Sequence, residues 1–226
     1  VLIMAMFYML LAIGLNVIVG YTGLCDLGFI AKFAIGAYTT GILTKSFGVN
    51  FWLTIPVAIA LAMLMAALTG APTLRLRSDY LAIVTLGFAE IVRITTRNLS
   101  ITGRATGLNG IPRPEIFGLR LSKMDQWYIV FLILVVLFVI ISGRIKNSRF
   151  GRAIEYIRED EDAAEAMGID TTRYKLWAYI MGSILGALAG CFYVGKMTSV
   201  SPDMLTFTTV PYTHPRAHET LRSLVC

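Results

Sequence analysis

The chain has 226 residues, of which 56% are hydrophobic and only 15% charged, with a mean hydropathy of +0.70 and a net charge of +6. A soluble domain carries about 25% charged residues, so this balance excludes a single water-soluble core and predicts a polytopic membrane protein. The basic residues lie mostly between apolar runs, where topology signals belong, so nucleic acid is not an expected partner.

Six apolar stretches approach the ~20 residues that cross a bilayer, at about 1–20, 24–44, 51–70, 79–97, 126–143 and 175–195. The first lacks a basic segment before it and reads as part of a span rather than a signal peptide. The expectation is a fragment that starts inside a span, or a trimmed chain.

Between the first two stretches, "NVIVGYTGLCDLGFIAKFAIGAY" crowds Gly20, Gly23 and Gly28 around Asp26. Such a run suits an unwound or re-entrant segment, which is tolerated at membrane depth only where protein or water surrounds it. Transporters aim helix ends at substrates through such breaks. The run also suits a tight turn at the membrane surface with Asp26 in water. The fourth stretch carries Glu90 and Arg93, three apart on one helix face. They read either as part of a transport path or as a structural pair, with Arg93 and Arg97 reaching toward headgroups. Polarity and position make Thr22, Asp26 and Glu90 the candidate pathway residues.

The segment "SITGRATGLNGIPRPEIFGLRLSKMD" reads as irregular from its glycines and prolines. Then comes a compact charged loop, "RFGRAIEYIREDEDAAEAMGIDTTRYK", between two runs with almost no charge. Asp160 can cap a short helix there, with Asp162 and Glu165 near its positive end. Gly168 suits a left-handed cap at the other end. Asp170 or Thr171 can cap the next span, which Lys175 begins. This predicts a helix of about two turns lying across the membrane surface. Its apolar side (Ala163, Ala164, Ala166, Met167) fits a groove on a partner; a solvated loop carrying topology charges is the other reading. In the last span Gly182, Gly186 and Gly190 share one face, where a second helix can pack closely.

Arg75, Arg77, Arg144, Lys146, Arg149, Arg152, Arg158, Arg173 and Lys175 fall in one set of loops. Lys45, Arg104, Arg113, Arg120, Lys123 and Lys196 fall in the opposite set. Nine against six places the loop at 144–175 in the cytoplasm. Cys25, Cys191 and Cys226 form neither a disulfide framework nor metal-ligand spacing. There is no phosphate-binding loop of the GxxxxGK[ST] kind, His214 and His218 lie outside every span, and no carboxylate cluster suggests a metal pair. No catalytic residue, metal or cofactor is therefore expected of this chain. A transporter or channel subunit is favoured over an enzyme, with a stand-alone secondary transporter and a non-transporting scaffold as the other classes.

Several runs together resemble the LivM-type membrane permease of bacterial branched-chain amino acid ABC transporters. They are "LNVIVGYTGLCDLGFIAKFAIGAYTTGIL", "LRLRSDYLAIVTLGFAEIVRITTRN", "TGLNGI", "GRAIEYIREDEDAAEAMGID", "GSILGALAG" and "SPDMLTF", in that order over roughly residues 8–207. The resemblance implies an all-α, polytopic helical bundle of about six spans, forming one permease domain over 1–207. It implies a sister permease (LivH-like), two cytoplasmic ATP-binding subunits (LivG/LivF-like) that hold ATP and Mg, and a periplasmic substrate-binding protein, all at the bacterial cytoplasmic membrane. The implied cargo is leucine, isoleucine or valine, with urea, short amides or other amino acids as alternatives on the same architecture. Glu161, Asp162, Ala163, Ala164, Glu165, Ala166, Met167 and Gly168 match the coupling helix that docks on the ATPase. The chain departs from the pattern at Lys32, where the family usually has an apolar or aromatic residue, so that the lysine must snorkel, line water or pair with something such as Asp26. It also lacks the start of the family's first region. After Phe207 the polar "TTVPYTHPRAHETLRSLVC" replaces further spans, and the expectation for 208–226 is a truncation or frame shift.

Overall fold

The computed structural model describes residues 2–74, 78–116, 119–121 and 123–205. Arg75, Arg77 and the 208–226 segment lie outside these.

Long helices form at each of the six apolar stretches: α1 (Leu2–Leu15, continued by a wider π turn, Asn16–Gly20), α2 (Phe29–Ser46), α3 (Phe51–Thr73), α4 (Ser78–Asn98), α5 (Met124–Lys146) and α8 (Thr171–Met197). Two short helices, α6 (Arg149–Glu159) and α7 (Glu161–Ala166), lie between α5 and α8. Among the described residues, four helical segments are long and apolar enough to cross a membrane: Leu2–Gly20, α3, α5 and α8. The segments at α2 and α4 carry more polar residues. The second stretch starts its helix at Phe29 rather than near residue 24, and the last starts at Thr171 rather than Lys175.

α8 is the central helix, with 78% of its most apolar window buried against 22–33% for the other three. Missing side chains let its neighbours approach. A Cβ on Gly190 would sit 2.3 Å from the Phe33 carbonyl oxygen, and one on Gly182 would sit 2.2 Å from Ile18 Cγ1. α2 reciprocates, since a Cβ on Gly36 would meet the Ala187 carbonyl oxygen at 2.2 Å. Gly182 and Gly190 of α8 thus stand against close neighbours, and Gly186 is set against the ring of Phe29. α3 and α5 lie outside, exposing Leu53, Leu64, Leu68, Ile133, Val136 and Val139. Such a surface suits lipid or another apolar partner and not water.

The loops separate to two ends. At one, Lys45 Nζ donates to the Asn109 carbonyl at 2.7 Å, and the strand Leu108–Asn109 pairs antiparallel with Ser199–Val200. A second two-residue pair joins Glu115–Ile116 to Leu119–Arg120. The loop expected to be irregular thus carries two short ladders, one tying it to the residues after α8 and one within the loop. At the other end lie α6, α7 and the turn after α1, where the Tyr21 hydroxyl and Ser142 Oγ share a hydrogen bond at 2.6 Å.

Candidate coupling surface and substrate pathway

α6 begins where Ser148 Oγ accepts from the Gly151 amide at 3.1 Å. Gly151 is required there, because a Cβ would fall 2.2 Å from the Lys146 carbonyl oxygen at the end of α5. Gly151, Ile154 and Ile157 point inward while Arg149, Arg152, Arg158 and Glu159 are exposed. This spacing gives one apolar stripe and one charged face, so α6 lies flat on the bundle end. Phe150 stacks on Tyr174 of α8 with ring centroids 5.6 Å apart.

Asp160 ends α6 and begins α7, its Oδ1 accepting from the Ala163 amide at 3.0 Å. At the other end Gly168 takes φ +83°. Its amide donates to the Glu165 carbonyl at 2.9 Å, and the Ile169 amide donates to the Ala164 carbonyl at 3.1 Å. These are the two bonds of a Schellman closure. Asp170 Oδ1 then accepts from the Arg173 amide at 3.1 Å and opens α8.

The expected coupling residues divide by direction. Met167 is 83% exposed, and Asp162, Ala163 and Ala166 also face outward. Ala164 differs from the expectation: it is 4% exposed and faces the body of the protein, so it cannot seat in a partner's groove. The physical reason is that a helix this short, held flat, must turn one residue inward, and a methyl permits the closest approach. Glu161 and Glu165 are also tied back. Glu161 pairs with Lys175 at 2.5 Å, and Glu165 Oε1 accepts from the Thr171 hydroxyl at 2.7 Å.

The chain unwinds between α1 and α2. Gly23 takes φ +70°, and residues 23–26 belong to no helix. Asp26 is 3% exposed, which overturns the reading of a wet surface turn. Its carboxylate pairs with Lys32 and accepts from the Gly28 amide at 3.0 Å. The Lys32 ammonium also lies over the Tyr179 ring of α8, 3.5 Å from its centroid. Of the three routes open to Lys32, pairing is the one taken. Thr85 of α4 closes the site by accepting from the Leu27 amide at 3.2 Å.

The three candidate pathway residues do not converge. Thr22 is buried; its hydroxyl donates to the Ile18 carbonyl and accepts from the Leu24 amide at 3.2 Å. Asp26 is enclosed with Lys32. Glu90 stands on the opposite, exposed face of α4, its side chain 51% exposed and held bidentately by Arg93. Leu81, Thr85 and Ala89 form the inward stripe of that helix, while Ile83, Glu90 and Ile94 face out. Sequence reasoning did not single out Arg158, Tyr179 or Thr85. Their partners lie far away along the chain, and no local spacing announces them.

A family model described as a branched-chain amino acid transport system permease component matches residues 1–213. The chain is 40% identical, over 90% of its own length and 54% of the relative's, to the high-affinity branched-chain amino acid transport system permease protein LivM of Salmonella typhimurium. It is 27% identical to the probable branched-chain amino acid transport permease protein LivM of Methanocaldococcus jannaschii, over 91% of this chain and 69% of that one. It is 23% identical to the corresponding LivH permease of Escherichia coli, over 81% and 65% of the two chains. The chain spans about half the length of the LivM of Salmonella typhimurium. No solved structure matches it.

Proposed function

The chain belongs to the branched-chain amino acid transport system permease family, and on that premise we propose that it is a membrane subunit of an ATP-driven importer of leucine, isoleucine and valine. ATP hydrolysis belongs to a separate subunit at the α6–α7 end. A second permease of the LivH kind completes the pathway, and a binding protein delivers cargo from the opposite side, so the α6–α7 end is cytoplasmic. The membrane is the bacterial cytoplasmic membrane.

The observation that carries this reading is α7. A doubly capped short helix presents Asp162, Ala163, Ala166 and Met167 outward, while Glu161 and Glu165 fasten it to α8. A rigidly fastened surface helix transmits a push, which a loose loop does not. The chain's own role is then conformational: its helices rock as rigid bodies and change which side of the membrane the pathway faces. The pairing of Asp26 with Lys32 also weakens the case for an ion-driven transporter, because the buried carboxylate already has its counter-charge.

The test is uptake of labelled leucine by vesicles holding the full permease pair, the ATP-binding subunits and the binding protein. Uptake that requires ATP, survives collapse of the ion gradient, and is competed by isoleucine and valine is the expected result. Competition by urea or short amides alone would reassign the cargo, and uptake driven by an ion gradient without ATP would overturn the mechanism.

A further inference from the structure

The α6–α7 segment is fastened in two directions: Glu161 and Glu165 hold it to α8, while Arg158 leads away from α8. We propose that Arg158 is a positioning residue for transport, passing displacement of α7 to the break between α1 and α2. This rests on the reading of α7 as the contact of an ATP-hydrolysing subunit.

A helix end leaves carbonyls without in-helix partners. The Gly20 carbonyl, closing the π turn of the first span, is one of these, and Arg158 Nη1 donates to it at 2.5 Å. The stem of the same side chain lies over Gly23, with Cγ 3.1 Å from where a Cβ would stand. Gly23 also has φ +70°, so a larger residue there would be strained and would displace the arginine. Arg158 therefore touches both the last turn before the break and its first residue.

Chain length makes the contact mechanical. Arg158 and Glu161 are three residues apart, and a chain spans at most about 3.6 Å per residue. α7 is thus leashed within about 11 Å of both fastenings. One runs through Glu161 and Lys175 to α8; the other runs through Arg158 to Gly20. A shift of α7 must load α8, the break, or both. The break is the junction between two helices, since residues 23–26 belong to neither α1 nor α2. Hinges absorb motion through backbone rotation at such element ends. At its far end, Asp26 and Lys32 lock the start of α2 under Tyr179 of α8. The two fastenings thus act on opposite sides of one buried contact.

The test uses the complete transporter in vesicles, comparing wild type with Arg158→Gln and Arg158→Lys. Arg158 is exposed and water can take its place on the carbonyl, so the glutamine variant is expected to insert normally and hold the ATP-hydrolysing subunit at the wild-type level. Solute moved per ATP hydrolysed should fall about tenfold while KM changes less than about twofold, the signature of a step after binding. The lysine variant, which keeps a donor, should recover at least about half of the loss. Unchanged stoichiometry in Arg158→Gln overturns the proposal. So does an equal fall in uptake and hydrolysis, or loss of insertion or of subunit binding in that variant alone, since each makes Arg158 a folding or docking residue. Wild-type vesicles that hold no ATP-hydrolysing subunit would instead overturn the reading of α7 and this inference with it.

Discussion

Lys32 sits in an apolar helix with 3% of its surface exposed. A lone ammonium there would be costly, and the Asp26 carboxylate and the Tyr179 ring offset that cost. Removing one member of a buried pair leaves an uncompensated charge, at a cost of about 3–5 kcal/mol. Lys32→Met and Asp26→Asn are each expected to lower the melting temperature of the purified permease. The double variant should recover most of that loss, because no unpaired charge remains. Additive losses in the melt would contradict the pairing. Pairing was one of three options legible at Lys32, but sequence could not choose it. The residues are six apart across a chain break, where no helical spacing rule applies, and Tyr179 arrives from the far end of the fold.

Among the elements, α7 shows which features a sequence announces. Its limits were readable because caps are local: Asp160, Gly168 and Asp170 each act on backbone within a few residues. Gly168 has open space beyond its Cα and φ +83°, so a side chain there is opposed by backbone strain alone. That strain is about 1–2 kcal/mol for an ordinary L-residue and is smaller for asparagine. Gly168→Val should therefore reduce co-purification of the ATP-binding subunit by about fivefold to thirtyfold, the equivalent of about 1–2 kcal/mol, while Gly168→Asn should largely keep it. Equal recovery with valine would show that the closure does not set the docking geometry. Three features were hidden. One was α6 itself, because Asp160 announces the start of a helix and not that another helix ends on the same residue. The inward turn of Ala164 depends on what lies beneath it, and a run of alanines looks alike on every side. The start of α2 at Phe29 depends on the Asp26 site, which only the folded chain assembles.

For the whole molecule, the six stretches were legible because burial in lipid or in protein both demand apolar residues. Which stretch is central was not. α8 is less apolar than the other three candidate spans, and its position follows from glycines meeting carbonyls on α2 and side chains on α1. α2 is enclosed by protein and tolerates Lys32, while α3 and α5 face outward and carry almost nothing but apolar groups. The proposed mechanism follows from this layout: a fastened surface helix at one end, a break after the first span beneath it, and a central helix joined to both. The most direct test of that account is a cross-link from Met167, an 83% exposed residue of the coupling segment. A single cysteine would replace Met167 in a background lacking the native cysteines, with a parallel cysteine at the buried Ala164. Captured proteins in native membranes would be identified by mass spectrometry. The account predicts capture of an ATP-binding subunit from position 167 and little or none from position 164. Inserted protein that captures no such subunit from position 167 would contradict it.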